Sequence, residues 1–133
     1  MKYSLINIIA CPICKNFPLK LIVFNSKTYQ RNVLVEKPFC DLYCGFKQNY
    51  VKDIKETPCD ECLRVEVVEG ILICSKCLRW YPIIDEIPRM LPDDLRRGSE
   101  DIEFLKKYSD KIPKEVLEGG KPHNIHQLSS VNT

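Results

Sequence analysis

Residues 59–84 read CDECLRVEVVEGILICSKCLRWYPII, two cysteine pairs around a β-rich segment. Two thiolates separated by two residues can share one tetrahedral zinc, because the tight turn aims both sulfurs inward and lets backbone N–H groups offset their charge. Cys59/Cys62 and Cys74/Cys77 are both of this C-x2-C form, so each supplies half a site. Between them, residues 64–69 alternate charged and apolar side chains, Gly70 permits a tight turn and residues 71–74 return, which predicts a hairpin. Residues 80–84 predict another strand. Pro82 has no N–H to donate, so that strand should lie at a sheet edge or hold its proline at an unpaired position.

Upstream stand a third C-x2-C pair, Cys11/Cys14, and a looser C-x3-C pair, Cys40/Cys44. Four half-sites make two metal sites, and spacing alone permits three pairings. Cys59/Cys62 with Cys74/Cys77 would be a contiguous ribbon, leaving Cys11, Cys14, Cys40 and Cys44 for a second metal. The nested rival joins Cys11/Cys14 to Cys74/Cys77 and Cys40/Cys44 to Cys59/Cys62, and the third pairing crosses over.

Around these pairs, Leu5, Ile8 and Ile9 have helical spacing and Pro12 ends the short helix they predict. Residues 17–24 and 33–36 predict strands. From Pro92 the chain turns charged and helical: Ser99 is a candidate N-cap, Glu100 and Asp101 suit the positive helix end, and Ile102, Leu105 and Tyr108 share a face. Pro113 restarts a short turn that Gly119 and Gly120 end, and residues 121–133 are expected to be a disordered tail. The fold expected is α+β: a small zinc-ribbon domain with a mostly antiparallel sheet and a short N-terminal helix over residues 1–97, with a cysteine-containing insert at about residues 25–68. Residues 98–133 form a helical extension and flexible tail.

With 133 residues, 44% hydrophobic and 29% charged, the chain fits one domain or two very small ones. It has no run near the roughly 18 apolar residues of a membrane helix, and residues 5–13 are too short and lack the cleavage site of a signal peptide. An intracellular, reducing setting follows as an expectation, in which paired cysteines read as metal ligands before disulfides. Four thiolates around one ion leave no open position for substrate, so all eight cysteines read as scaffold and none as catalytic. Thiol redox chemistry would want a C-x2-C opening a helix in a βαβ unit, and the pattern here is of hairpins. There is no glycine-rich nucleotide loop and no Ser/His/Asp constellation. His123 and His126, on the expected tail, receive no role.

Two stretches together carry a family pattern: MKYSLINIIACPICKNFPLKL at residues 1–21 and EGILICSKCLRWYPIIDEIPRMLP at residues 69–92. They resemble the multifunctional methyltransferase subunit family, the tRNA methyltransferase one-hundred-and-twelve activators. The resemblance implies a non-catalytic, cytoplasmic zinc-ribbon subunit that binds and activates class I S-adenosylmethionine-dependent methyltransferases as a heterodimer. The substrates implied are tRNA, rRNA or a translation release factor. It implies one zinc at Cys11, Cys14, Cys74 and Cys77, and so the nested pairing. The insert with Cys40, Cys44, Cys59 and Cys62 departs from the simplest family pattern, giving one or two zinc ions per chain. Glu86 stands where a glycine often precedes the Ile-Pro, and the tail beyond Leu95 is additional.

In such a family the activator lends a strand to the edge of the enzyme's sheet. The residues agree: Trp80, Ile83, Ile84, Ile87, Met90 and Leu91 concentrate apolar surface, and Ile83, Ile84, Ile87, Pro88, Arg89, Met90 and Leu91 are the candidate partner-binding residues. The competing reading is an RNA-binding ribbon. Residues 1–50 carry seven Lys/Arg against two acids, and Lys27, Arg31 and Lys37 alternate with Tyr29, Phe39 and Tyr43. These charges are spread rather than clustered, which suits at most an indirect contact with tRNA through a complex. No DNA or membrane partner is expected.

Overall fold

The structure is a computed structural model that describes residues 1–127. A 3-10 turn at Tyr3–Asn7 leads into strand β1 (Lys20–Thr28); a small hairpin follows, β2 (Tyr43–Cys44) with β3 (Asn49–Tyr50). Next come one helical turn α1 (Cys59–Cys62), strands β4 (Val65–Ile73), β5 (Trp80–Ile84) and β6 (Ile87–Pro88), and helices α2 (Gly98–Lys107) and α3 (Lys114–Gly119). Among the described residues, β1, β4, β5 and β6 form one antiparallel sheet in the order β1-β4-β5-β6.

The hairpin expected around Gly70 is absent: β4 runs straight through it from Val65 to Ile73. Gly70 pairs with Val23 beside an irregularity in β1, and a Cβ there would stand 2.6 Å from the Ile22 carbonyl oxygen. The glycine therefore serves a close approach of neighbouring backbone, not a turn. Residues 33–36 form no strand either; they alternate half-buried and exposed, and among the described residues no strand pairs with them to complete a ladder.

Each face of the sheet carries its own core. One side gathers Leu21, Val67, Leu72, Tyr81 and Ile83 with Met1, Ile6 and Leu19. The other presents Ile71, Ile73 and Trp80 to Phe104, Leu105, Tyr108, Ile112 and Val116 of the C-terminal helices. Because successive strand residues face opposite ways, Ile83 falls on the inner side and is wholly buried, while Ile84 is only half-buried on the other. Ile83 is thus covered by the chain's own core and does not belong to the exposed surface proposed for it. Pro82 fits the strand because its carbonyl accepts from Arg89 N–H at 2.9 Å, so its missing donor faces the two-residue β6 and leaves the β4 ladder intact.

Helix α2 carries no side-chain cap; Arg97 precedes it in extended conformation, and Ser99 lies inside the first turn. Ile102, Phe104 and Leu105 are buried against the sheet, each contributing about 1.5–3 kcal/mol. Trp80 stacks on Phe104 with ring centroids 5.7 Å apart, and Phe24 on Tyr108 at 4.4 Å. The expected tail is ordered as far as it is described: Arg79 and Lys121 form a bridge, Trp80 Nε1 donates to the His123 carbonyl at 2.9 Å, and residues 125–127 make a 3-10 turn. The rest of that expectation, residues 128–133, lies outside the described residues.

Candidate metal centre

Cys11 and Cys14 sit on the loop between the first 3-10 turn and β1; Cys74 and Cys77 sit on the connection from β4 to β5. The two loops repeat one hydrogen-bond pattern. Cys11 N–H donates to the Asn16 carbonyl and Lys15 N–H to that of Cys11; likewise Cys74 N–H donates to Arg79 and Leu78 N–H to Cys74, all at 2.8–3.0 Å. The residue after each second cysteine, Lys15 (φ 65°) and Leu78 (φ 64°), is left-handed. That conformation costs a non-glycine residue about 1–2 kcal/mol, and here it turns the chain so that both sulfurs of a pair point one way.

The four sulfurs lie within 4.8 Å of one another, with Cys11 and Cys74 fully buried and Cys14 and Cys77 partly so. Cys14 and Cys74 sulfurs are 3.3 Å apart, Cys11 and Cys77 3.7 Å. Sulfurs at about 2.3 Å from a tetrahedral zinc stand about 3.8 Å from one another, so this donor set can hold a metal ion and suits zinc in number, type and spacing. Of the nested pairing, the outer quartet of Cys11/Cys14 with Cys74/Cys77 is formed, and the contiguous ribbon is not.

The surroundings divide the protons unevenly. Burial would push the Cys11 thiol up, but the N–H groups of Cys14 and Ile13, the Tyr81 hydroxyl at 3.4 Å and the Cys77 sulfur together bring it down to about 6. Cys77 is lowered as well: burial opposes this, and the Arg79 backbone N–H and guanidinium overcome it. Cys74 is driven up to about 12, first by burial. Arg79 is held by a two-pronged contact with Asp93, Nε to Oδ1 at 2.9 Å and Nη2 to Oδ2 at 2.7 Å, which fixes a positive charge beside the sulfur cluster. Arg79 and Tyr81 were not legible as part of the centre, since nothing in their spacing marks them; only their nearness to the Cys74/Cys77 pair could have suggested it.

Cys40, Cys44, Cys59 and Cys62 are gathered elsewhere, around one small cavity, and none is disulfide-bonded. Burial and the neighbouring cysteines push Cys40 up to about 11 and Cys62 up to about 12. Asn7 holds this segment to the N-terminal turn: its Oδ1 accepts from Leu42 N–H at 3.1 Å and Tyr43 N–H at 2.8 Å, and its Nδ2 donates to Asp41 Oδ1 at 2.8 Å. Asn7→Ala should therefore cost about 0.5–1.5 kcal/mol in urea unfolding and expose the Leu42 and Tyr43 amides to hydrogen exchange. Unchanged protection of those two amides would refute the role given to Asn7.

The basic residues of the competing reading are largely engaged. Arg31 is 3.5 Å from Glu66, Lys37 is 2.9 Å from Asp60, and Lys27 and Arg31 flank the Tyr29 ring at 5.0 and 4.9 Å. Tyr43 is buried and packs edge-on against Phe17 and Tyr50, which removes it from any stacking platform. His123, by contrast, does have a structural contact, its Nδ1 lying 2.7 Å from Asp101 Oδ2; His126 donates its backbone N–H to Asn124. Among the described residues no helix is long and apolar enough to cross a membrane.

A small antiparallel sheet whose N-terminal loop and β4–β5 connection are joined by four cysteines defines a zinc-ribbon type of domain. The model of the Trm112p-like protein family matches residues 2–86, a span that includes all eight cysteines and ends in the turn between β5 and β6. The chain belongs to that family. No curated protein matches the chain significantly.

Proposed function

We propose that the chain is a non-catalytic, zinc-binding subunit that binds and activates S-adenosylmethionine-dependent methyltransferases acting on tRNA, rRNA or a translation release factor, in the cytoplasm and as a heterodimer. Residues 1–97 would be the activating domain and residues 98–133 an extension, of which helices α2 and α3 are laid over its sheet. Family membership combined with the four-cysteine centre supports this reading. The observation that carries it beyond metal binding is the β6 edge of the sheet. There Ile87 is 61% exposed, and Leu91 and Leu95 are exposed beside it. A cleft of about 320 Å³ lined by Ile84, Leu91 and Leu95 with Arg89, Arg96 and Arg97 adjoins them. Pro88 and Met90 are half-buried and Arg89 is exposed on the same edge.

Apolar side chains on a short sheet edge suit a partner that adds its own strand and covers them. Such a partner is stabilised by mass action and can have its cofactor pocket ordered without receiving a catalytic group. The test is to tag the protein, purify it gently from its native cells and identify what accompanies it at equal stoichiometry. A methyltransferase is expected. RNA or polymerase components with no methyltransferase would overturn the proposal in favour of an RNA-binding ribbon. Once the partner is in hand, Ile87→Asp should weaken the complex at least about tenfold, or about 1.4 kcal/mol, while leaving the chain's own melting within about 0.5 kcal/mol of wild type.

A further inference from the structure

We propose that Cys40, Cys44, Cys59 and Cys62 form a second metal site, taking one thiolate-preferring divalent ion, zinc, in the cavity they enclose.

The first ground is what the insert lacks. Residues 29–64 contain only two-residue strands and single helical turns, and Leu34, Phe39 and Leu42 are exposed. Among the described residues of that span, six are buried: Tyr43, Cys44, Gly45, Cys59, Cys62 and Leu63. Half of the insert's interior is therefore cysteine. An apolar cluster this small cannot offset the ordering of 36 residues at about 1–2 kcal/mol each, and segments of this kind are closed by disulfides or a metal. Disulfides are absent: all four are free thiols.

The second ground is the cavity. All four cysteines line it, the space within is about 10 Å³, and Phe39, Val51, Pro58 and Leu63 supply apolar wall. That is room for about one water-sized sphere, too little for an organic ligand and enough for a single ion. An isolated water would find few partners there besides sulfur, which bonds it weakly. Among the lining residues there is no Lys, Arg or His to balance thiolate charge, so an ion is the group that would allow these sulfurs to ionise together.

The third ground is how the two halves are presented. Cys44 is fixed by the β2–β3 hairpin, which is seated on the N-terminal turn through Asn7 and through Gly45; a Cβ on Gly45 would stand 2.5 Å from the Tyr3 carbonyl oxygen. Cys59 and Cys62 are fixed on the single turn α1, where Cys62 N–H donates to Pro58 and Leu63 N–H to Cys59. The halves already touch: Phe39 N–H, next to Cys40, lies 3.5 Å from Cys59 Sγ. A backbone N–H donated to a ligating sulfur is the outer-shell contact that orients thiolate ligands. Among the described residues, no three of these four sulfurs lie within 4.8 Å of one another, so they ring the cavity at wider spacing than the first quartet. Binding would draw both halves of the site together, the usual coupling of metal binding to local folding.

The experiment is metal counting on the full chain, produced with zinc and purified under reducing conditions, alongside thiol alkylation of the native protein and mass spectrometry. Two zinc ions per chain are expected, with all eight thiols protected. The double variant Cys40→Ser/Cys62→Ser should hold one, with its sheet intact by circular dichroism and residues 29–64 newly sensitive to protease. One zinc per wild-type chain, with the insert thiols alkylated in the native protein or found as disulfides, overturns the proposal while leaving the first centre standing. Two zinc ions persisting in the double variant would overturn it as well.

Discussion

Replacing Cys74 with serine should strip the first centre of its metal and unfold the sheet around it. Cys74 is fully buried, its sulfur lies 3.3 Å from that of Cys14, and it directly follows Ile73, the residue that pairs with both Lys20 of β1 and Trp80 of β5. A serine hydroxyl stays protonated and is a poor partner for a soft ion, so three ligands would remain in a site shaped for four. Structural zinc sites of this kind contribute about 10–16 kcal/mol near pH 7, against about 5–15 kcal/mol for the net stability of a whole domain. The expected readouts are one fewer zinc per chain and loss of the cooperative thermal transition at temperatures where wild type is folded. Native melting with the metal gone would show that packing alone sustains the fold. The same centre should respond to acid. Burial holds the Cys74 thiol above its ordinary range, so metal binding has to expel its proton. Metal affinity should fall as pH is lowered, each added proton competing for a sulfur, and metal release should precede unfolding in an acid titration.

The ligands of this centre were legible because cysteine spacing is local: a C-x2-C turn is written in four residues. Which pairs meet was not, because that depends on β1, β4 and β5 lying side by side, and only the resemblance favoured the pairing that forms. Gly70 misled for a physical reason. In a central strand covered on both faces the apolar residues run together, as Ile71, Leu72 and Ile73 do, and a glycine that admits a neighbouring backbone looks the same in sequence as one that turns the chain. Residues 33–36 have strand composition, yet a strand exists only through a partner, and among the described residues none pairs with them. The parity of Ile83 and Ile84 could have been read from the alternation of β5 alone, which places them on opposite faces. The binding of residues 121 and 123 to Trp80 could not, since on their side it runs through the Lys121 and His123 carbonyls, groups that any sequence possesses.

Asp101→Ala should be the most damaging change away from the cysteines, at about 3–5 kcal/mol, because it leaves a buried guanidinium without its counter-charge. Arg96 and Asp101 side chains are 3% and 7% exposed, and Arg96 Nη2 lies 2.9 Å from Asp101 Oδ2. That contact is an ion pair without hydrogen-bond alignment; the aligned bonds are Nε to Asp101 Oδ1 at 3.3 Å and Nη1 to the Trp80 carbonyl at 2.7 Å. The guanidinium also lies over the Trp80 ring, 4.6 Å from its centroid, and Asp101 Oδ2 receives His123 from the C-terminal segment. One carboxylate thus connects β5, α2 and residues 121–127, three segments that bury the second core between them. Removing it strands Arg96 beneath Trp80 and releases His123. If the cost comes from the orphaned charge, then Arg96→Met combined with Asp101→Leu should recover most of it, since apolar replacements of similar volume exchange a buried ion pair for packing. Urea unfolding of Arg96→Met, Asp101→Leu and the double variant would measure this as a coupling energy. A loss below about 1 kcal/mol for Asp101→Ala would mean that water reaches the guanidinium and that the pair is not buried in solution.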